Sequence, residues 1–368
     1  MKKAFWRVAL FGILGLVATG LALTPGCGKT KKETLRITCW EGYAEPYVAD
    51  FQKLIKDKYQ IDVEVKISNP TDQDEFFLAV KDKKADLISP PIELPKTPRF
   101  YSYAETPYLQ PVDINNIPNL KNMMPTFLND RTPFFNDQRY GVPYNCGPYG
   151  LAYNTERVTP APDSWNILWD PAYAGKYTIN NNFPKVNVWI TALALGYGYE
   201  DIFDIERLDR AKIQEKLNLL AQNAKSLWDG SANPDEFSEL SLATDWGFAT
   251  AQANNKGGKW LLASPKEGGT AWIDCWYISA EAKGMTKTLA EEWINFMLDP
   301  VRQADVVKSQ GVSPVISNVG DLLNASEKAM FHVGDDDYFK TVALWRVMSE
   351  ETEKAFNDMW EEAKKTRK

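Results

Sequence analysis

Leu35-Arg36-Ile37-Thr38-Cys39-Trp40-Glu41-Gly42-Tyr43 is the stretch on which the fold turns. Residues 35–40 alternate apolar and polar before running into a glycine-containing loop, the pattern of a strand entering a turn. Pro46 opens a helix over residues 46–59, with Val48, Phe51, Leu54 and Ile55 on one side. Residues 61–67 alternate as a second strand, residues 72–81 read as a helix, and residues 85–89 as a buried strand stopped by Pro90-Pro91. Strand, helix, strand, helix, strand implies a parallel sheet with helices on its faces. Such sheets bind ligands beyond the carboxyl ends of their strands. Trp40, Glu41, Tyr43 and the Ser89-Pro90-Pro91 turn fall at such ends and are expected on one rim.

The same reading continues outward. Residues 140–154 are apolar with turn residues in the middle; residues 177–180 form a strand before three asparagines. Residues 186–197 read as a helix and residues 208–227 as a longer one. Residues 241–245 form a short strand ending at Trp246, again a carboxyl-end position. Residues 288–298 are an amphipathic helix stopped by Pro300, and residues 322–368 look helical, with Phe339, Val342, Leu344 and Trp345 available for docking.

A second informative stretch is Ser264-Pro265-Lys266-Glu267-Gly268-Gly269-Thr270-Ala271-Trp272-Ile273-Asp274-Cys275-Trp276. The paired glycines mark a turn and residues 271–277 a strand, so Trp272 and Asp274 point to one side. An indole and a carboxylate on one face suit an organic cation. The bland alternative is a core tryptophan beside a surface aspartate at a strand end.

With 368 residues the chain is comfortable for two lobes. Lys2, Lys3 and Arg7 precede an apolar run over residues 8–23, which reads as a signal peptide of residues 1–26. Thr24-Pro25-Gly26-Cys27 resembles a bacterial lipobox, so Cys27 is expected to carry a lipid and residues 27–34 to form a tether; cleavage without a lipid is the alternative. The chain has 42 basic and 49 acidic side chains, and loss of the leader removes three of the basic ones. That balance argues against nucleic acid and permits a cationic solute. Cys39, Cys146 and Cys275 leave disulfide pairing open. His332 is the only histidine, which nearly excludes an imidazole-built zinc site or a Ser-His-Asp triad. Its place before the acidic turn at residues 335–337 makes it a surface or packing residue.

Over residues 35–318 the chain resembles the extracytoplasmic spermidine/putrescine-binding proteins of ABC transporters. The resemblance rests on Trp40-Glu41-Gly42-Tyr43, Val142-Pro143-Tyr144, Pro162-Asp163-Ser164-Trp165, residues 240–246, residues 264–274 and residues 294–300. It implies an α/β, two-lobe type II periplasmic-binding-protein fold, each lobe a mostly parallel sheet flanked by helices, with crossing hinge strands. Residues 35–141 and 274–318 would form one lobe, and residues 142–273 and 319–368 the other. It implies no enzyme, cofactor or metal, but a monomeric, lipid-anchored receptor on the periplasmic side of the membrane, handing a polyamine to permease subunits. Carried over by position, Trp40, Glu41, Tyr43, Trp246, Trp272 and Asp274 would bind the ligand, with a core indole as the alternative for Trp246.

The chain departs from the family in several places. Gly42 stands where an acid is usual, with Glu41 one place earlier. Pro91 and Glu93 replace a serine and a tyrosine, and Glu93 is expected to be a solvated charge. Second-lobe carboxylates are not evident around Asn180-Asn181-Asn182, and Val312 replaces a tyrosine. With Asp274 and Glu41 as anchors, a diamine such as putrescine fits better than spermidine, because an unpaired buried ammonium is costly. The same fold holding an amino acid, a betaine or a sugar is the alternative ligand class. An exported hydrolase using Glu41 and Asp274, and an adhesive surface lipoprotein, are the alternatives of other classes.

Overall fold

The computed structural model describes residues 31–97 and 108–367. The signal segment and Cys27 lie outside the described residues. The chain opens with β1 (Lys32–Thr38), α1 (Val48–Tyr59), β2 (Asp62–Ser68), α2 (Asp74–Lys81) and β3 (Leu87–Ile88). Then come β4 (Leu109–Gln110), the short α3 (Pro125–Leu128), the β5–β6 hairpin (Phe134–Phe135, Gln138–Arg139) and the long β7 (Gly141–Asn154). A second group follows: β8 (Tyr177–Asn180), α4 (Pro184–Ala194), α5 (Arg210–Asn223), β9 (Ser226–Trp228), β10 (Leu242–Asp245), α6 (Phe248–Asn255) and β11 (Trp260–Leu262). The chain returns through β12 (Thr270–Ser279), α7 (Met285–Met297), α8 (Pro300–Gln310) and β13 (Ser313–Pro314). It closes with α9 (Ala325–Met330), α10 (Asp336–Phe339), β14 (Ala343–Leu344) and α11 (Glu350–Lys364).

The sheet order is β2-β1-β3-β12-β7-β10-β8-β9. In the first half β1 runs parallel to β2 and β3; in the second, β8 runs parallel to β9 and β10. Between them β7 and β12 run antiparallel from Gly141–Tyr277 to Tyr149–Thr270, and β7 continues to pair with β10. The two long strands are therefore shared by the halves; of the expected lobe boundaries, 141/142 falls at the start of β7 and 273/274 within β12. This is the α/β architecture of the periplasmic binding proteins.

Local chemistry explains the element ends. Leu35 and Ile37 of β1 are buried, while Arg36 between them turns out to hold Asp86 at 2.6 Å. Gln60 ends α1 in the left-handed region and donates its N–H to the Lys56 carbonyl at 3.0 Å. Asp299 caps α8, Pro300 starts it and Gly311 stops it at φ +67°.

Two element expectations are corrected. The helix expected over residues 208–227 ends at Asn223; Ala224 is extended, and Ser226-Leu227-Trp228 pairs with β8 as an edge strand. The helical reading of residues 322–368 is interrupted by β14, which pairs with the start of β12, whereas α11 packs on α4 and α5. Cys39, Cys146 and Cys275 are buried thiols, not disulfides. His332 stacks flat on Tyr338, with ring centroids 3.3 Å apart.

Gly147 faces Trp272 across the β7–β12 ladder, and a Cβ there would lie 2.4 Å from Trp272 Cζ2. The ring lies where a side chain would otherwise stand. Gly147→Val is expected to destabilise the protein by about 1–3 kcal/mol through overpacking. A lowered urea midpoint with an unchanged slope would register it.

Candidate functional site

A cleft of about 730 Å³ lies between the halves. From the first half it receives Trp40, Glu41, Gly42 and Tyr43 after β1, Pro70, Thr71 and Gln73 after β2, and Pro91 after β3. From the second it receives Phe183 after β8, Asp229, Gly230 and Ser231 after β9, and Trp246 and Phe248 after β10. Trp272 and Asp274 come from β12, Gln310 and Val312 from the end of α8 and beyond, and Trp345 from just after β14. Three parallel strands from each half thus deliver their carboxyl ends to one slot.

Asp274 is 3% exposed and accepts a hydrogen bond from the Tyr43 hydroxyl at 2.7 Å. The exit of β3 straps β12 on both sides of it: Ile92 N–H donates to the Ile273 carbonyl at 2.7 Å, and Cys275 N–H to the Pro90 carbonyl at 3.0 Å. The β7–β12 register shifts between Asp274 and Cys275, a bulge that sets the aim of this side chain. Burial, reinforced by the negative charge of Glu93 and opposed by the Tyr43 hydroxyl and the Trp40 indole, raises the Asp274 carboxyl to about 8. A carboxylate in this position stays costly until a cation arrives. Burial, followed by the Asp274 charge, also holds the Tyr43 phenol well above its ordinary value.

Trp272, 7% exposed, and the half-buried Trp246 line the same cleft. The Trp246 indole N–H donates to the Gly230 carbonyl at 2.7 Å. Its ring centroid lies 5.0 Å from that of Tyr149, 5.5 Å from those of Phe183 and Trp228, and 6.0 Å from that of Trp345. Edge contacts of this kind fix the indole without stacking it closed. Gly247 at φ +102° lets the chain turn beneath it, where a Cβ would meet the Gly311 carbonyl at 2.3 Å. Trp246 also pins the loop that carries Asp229, whose carboxylate accepts from the Asn181 amide at 2.9 Å.

The six residues read from the sequence as a binding set all line this cleft, but they differ in placement. Trp40, Tyr43, Trp246, Trp272 and Asp274 sit in its buried or half-buried walls, whereas Glu41 is exposed at the rim. Glu93 is not a solvated charge: it is 2% exposed and pairs with Lys185 at 2.9 Å, because the β3 exit turns it inward. Of the lining residues that the sequence reading does not place in the binding set, Asp229 and Trp345 bear most on the site's chemistry. Asp229 was hidden by reading residues 208–227 as one helix; a strand at 226–228 would have put it at a carboxyl end. Trp345 was assigned to docking in a tail that no strand reading anchored. No group of three or more histidine, cysteine, aspartate or glutamate side chains able to hold a metal occurs among the described residues.

The profile of the bacterial extracellular solute-binding protein family matches residues 82–342. The spermidine/putrescine-binding periplasmic protein of Salmonella typhimurium is 30% identical over 205 residues, 55% of this chain and 57% of that one. The chain thus spans little more than half the length of this relative. The putrescine-binding periplasmic protein PotF of Escherichia coli is 25% identical over 78% of this chain and 79% of its own. Among solved structures, the spermidine/putrescine substrate-binding protein PotD of Streptococcus pneumoniae superposes with a TM-score of 0.73 at 20% identity, covering 91% of this chain and 99% of that one. The Atu4243-GABA receptor superposes with a TM-score of 0.66 at 18% identity, covering 90% and 96%. Both share the fold. The chain belongs to the bacterial extracellular solute-binding protein family.

Proposed function

We propose that the protein is the substrate-binding lipoprotein of a bacterial ABC importer, and that it captures a linear diamine, putrescine ahead of spermidine, by closing its halves around it. One observation carries this reading: carboxylates from opposite halves, Asp274 and Asp229, open on one cleft with indoles and phenyl rings around them. Asp274 takes one ammonium and Asp229 the other. Trp40, Trp246, Trp272 and Trp345 cover the methylenes and attract the charge through their ring faces, and Tyr43 orients Asp274. Glu41 adds field at the rim and guides approach. The polyamine-binding relatives support the ligand class. Acylation at Cys27 holds the monomeric receptor at the outer face of the membrane, and the permease receives the closed form. The protein performs no chemistry on the ligand.

A thermal-shift panel of diamines, triamines, γ-amino acids, betaines and sugars tests the ligand class; stabilisation confined to a non-cationic solute would refute it. By calorimetry, Asp274→Asn is expected to weaken putrescine by about 30- to 4,000-fold, the equivalent of about 2–5 kcal/mol for a buried charge pair losing one member. Affinity untouched by that change would sink the site assignment.

The Asp274 carboxyl also fixes a pH dependence. In the empty cleft it is largely protonated at pH 7, and an incoming ammonium requires the ionised form. Putrescine binding at pH 7 is therefore expected to release about one proton, falling toward zero above pH 9, with affinity rising between pH 6 and 8. Calorimetry in two buffers of different ionisation enthalpy measures this, and Asp274→Asn should abolish it. For folding the sign is opposite. The folded carboxyl titrates near 8 against 3.8 for an ordinary one, so its contribution to the empty protein's stability is full below pH 4 and lost as pH rises through 8.

A further inference from the structure

Lys185 stands in the first turn of α4, two residues beyond Phe183 of the cleft wall. Its ammonium lies 2.9 Å from Glu93 Oε1, 4.4 Å from the ring centroid of Trp345 and 5.6 Å from that of Trp189. Both side chains are largely buried, at 17% and 3% exposure, and they come from opposite halves. Glu93 follows by one residue the strap that brackets Asp274, and Trp345 lines the cleft, so the pair adjoins its Asp274 end.

A buried ion pair of this kind adds little net stability, since desolvation offsets its attraction. Its chemistry points elsewhere. A lysine side chain is four methylenes ending in an ammonium, the same arm that a polyamine presents. Here that arm is held by a carboxylate and two indoles, the combination assigned above to the ligand's amines. Glu93 Oε2, moreover, has no hydrogen-bond partner among the described residues, so the carboxylate has accepting capacity left.

We infer that Lys185 is a specificity-determining residue: its arm fills, and its ammonium neutralises, a third ammonium site on Glu93 that a triamine would otherwise use. Two acids, Asp274 and Asp229, then remain for the ligand, and a diamine matches them. A third ammonium meets Lys185 and is repelled. This rests on the polyamine reading above and deepens it.

The test is calorimetry of the full mature protein with putrescine and spermidine, in wild type, Lys185→Ala, Lys185→Gln and Glu93→Gln/Lys185→Ala. Vacating the slot while leaving Glu93 is expected to raise the spermidine-to-putrescine affinity ratio by at least about tenfold in Lys185→Ala. Lys185→Gln keeps a hydrogen bond to Glu93 and safeguards folding; it should shift the ratio the same way by a smaller factor. The double variant offers space without a carboxylate and should keep the wild-type ratio. Diamine binding with a ratio unchanged in both single variants overturns this inference alone, as does an equal gain in the double variant. Wild-type protein that binds neither amine overturns the polyamine reading and this inference with it.

Discussion

A carboxyl group sealed among aromatic rings carries the energetic problem around which this cleft is arranged. Asp274 is almost removed from water, strapped by the exit of β3, hydrogen-bonded by Tyr43 and raised to about 8 by burial and by Glu93. Left ionised it is expensive; protonated it is tolerable; matched with a cation it is stable. The surrounding geometry, from the bulge beside Asp274 to Gly147 beneath the Trp272 ring, keeps that group in place. The empty cleft thus keeps a carboxyl that a cation would stabilise, without holding a permanent charge against itself.

The aromatic wall follows from topology. Trp40, Trp246 and Trp345 come from separate parts of the chain, two of them directly after strands whose carboxyl ends face the slot. Edge contacts hold these rings, Trp246 against Trp345 and Trp40 against Phe76, and the Trp246–Gly230 hydrogen bond ties a ring to the loop that bears Asp229. Trp246 packs on four other rings and lines the cleft at the same time, so the distinction between core indole and cleft indole dissolves for it.

Much of this was legible in the sequence where strands were short, alternating and bounded by turns. The β1–α1–β2–α2–β3 unit followed from periodicity, and its rim of Trp40 and Tyr43 from the carboxyl ends of those strands. The two-residue spacing put Trp272 and Asp274 on one side, and only the family resemblance made them a binding pair. The failures share a cause. Ser226-Leu227-Trp228 is a three-residue strand abutting a helix, too short for periodicity to speak, and it concealed Asp229. Glu93 looked solvated because its burial comes from hydrogen bonds to β12, about 180 residues away in sequence. Lys185, beside a proline at a helix start, carried no local signal of a partner on the other half. Long-range pairing decided each case, and a single sequence does not display it.

The shared strands have a consequence for the order in which the molecule can be built. β3 sits between β1 and β12, and β12 belongs to the last hundred residues of the chain. The amino-terminal half cannot complete its sheet while the polypeptide is still emerging; it waits with an open edge until about three quarters of the residues exist. Such non-local closure makes folding slow and late. A nascent chain whose sheet cannot close until then is not locked into its compact form for most of its synthesis. That is the condition under which a polypeptide can still be drawn, extended, through a narrow pore.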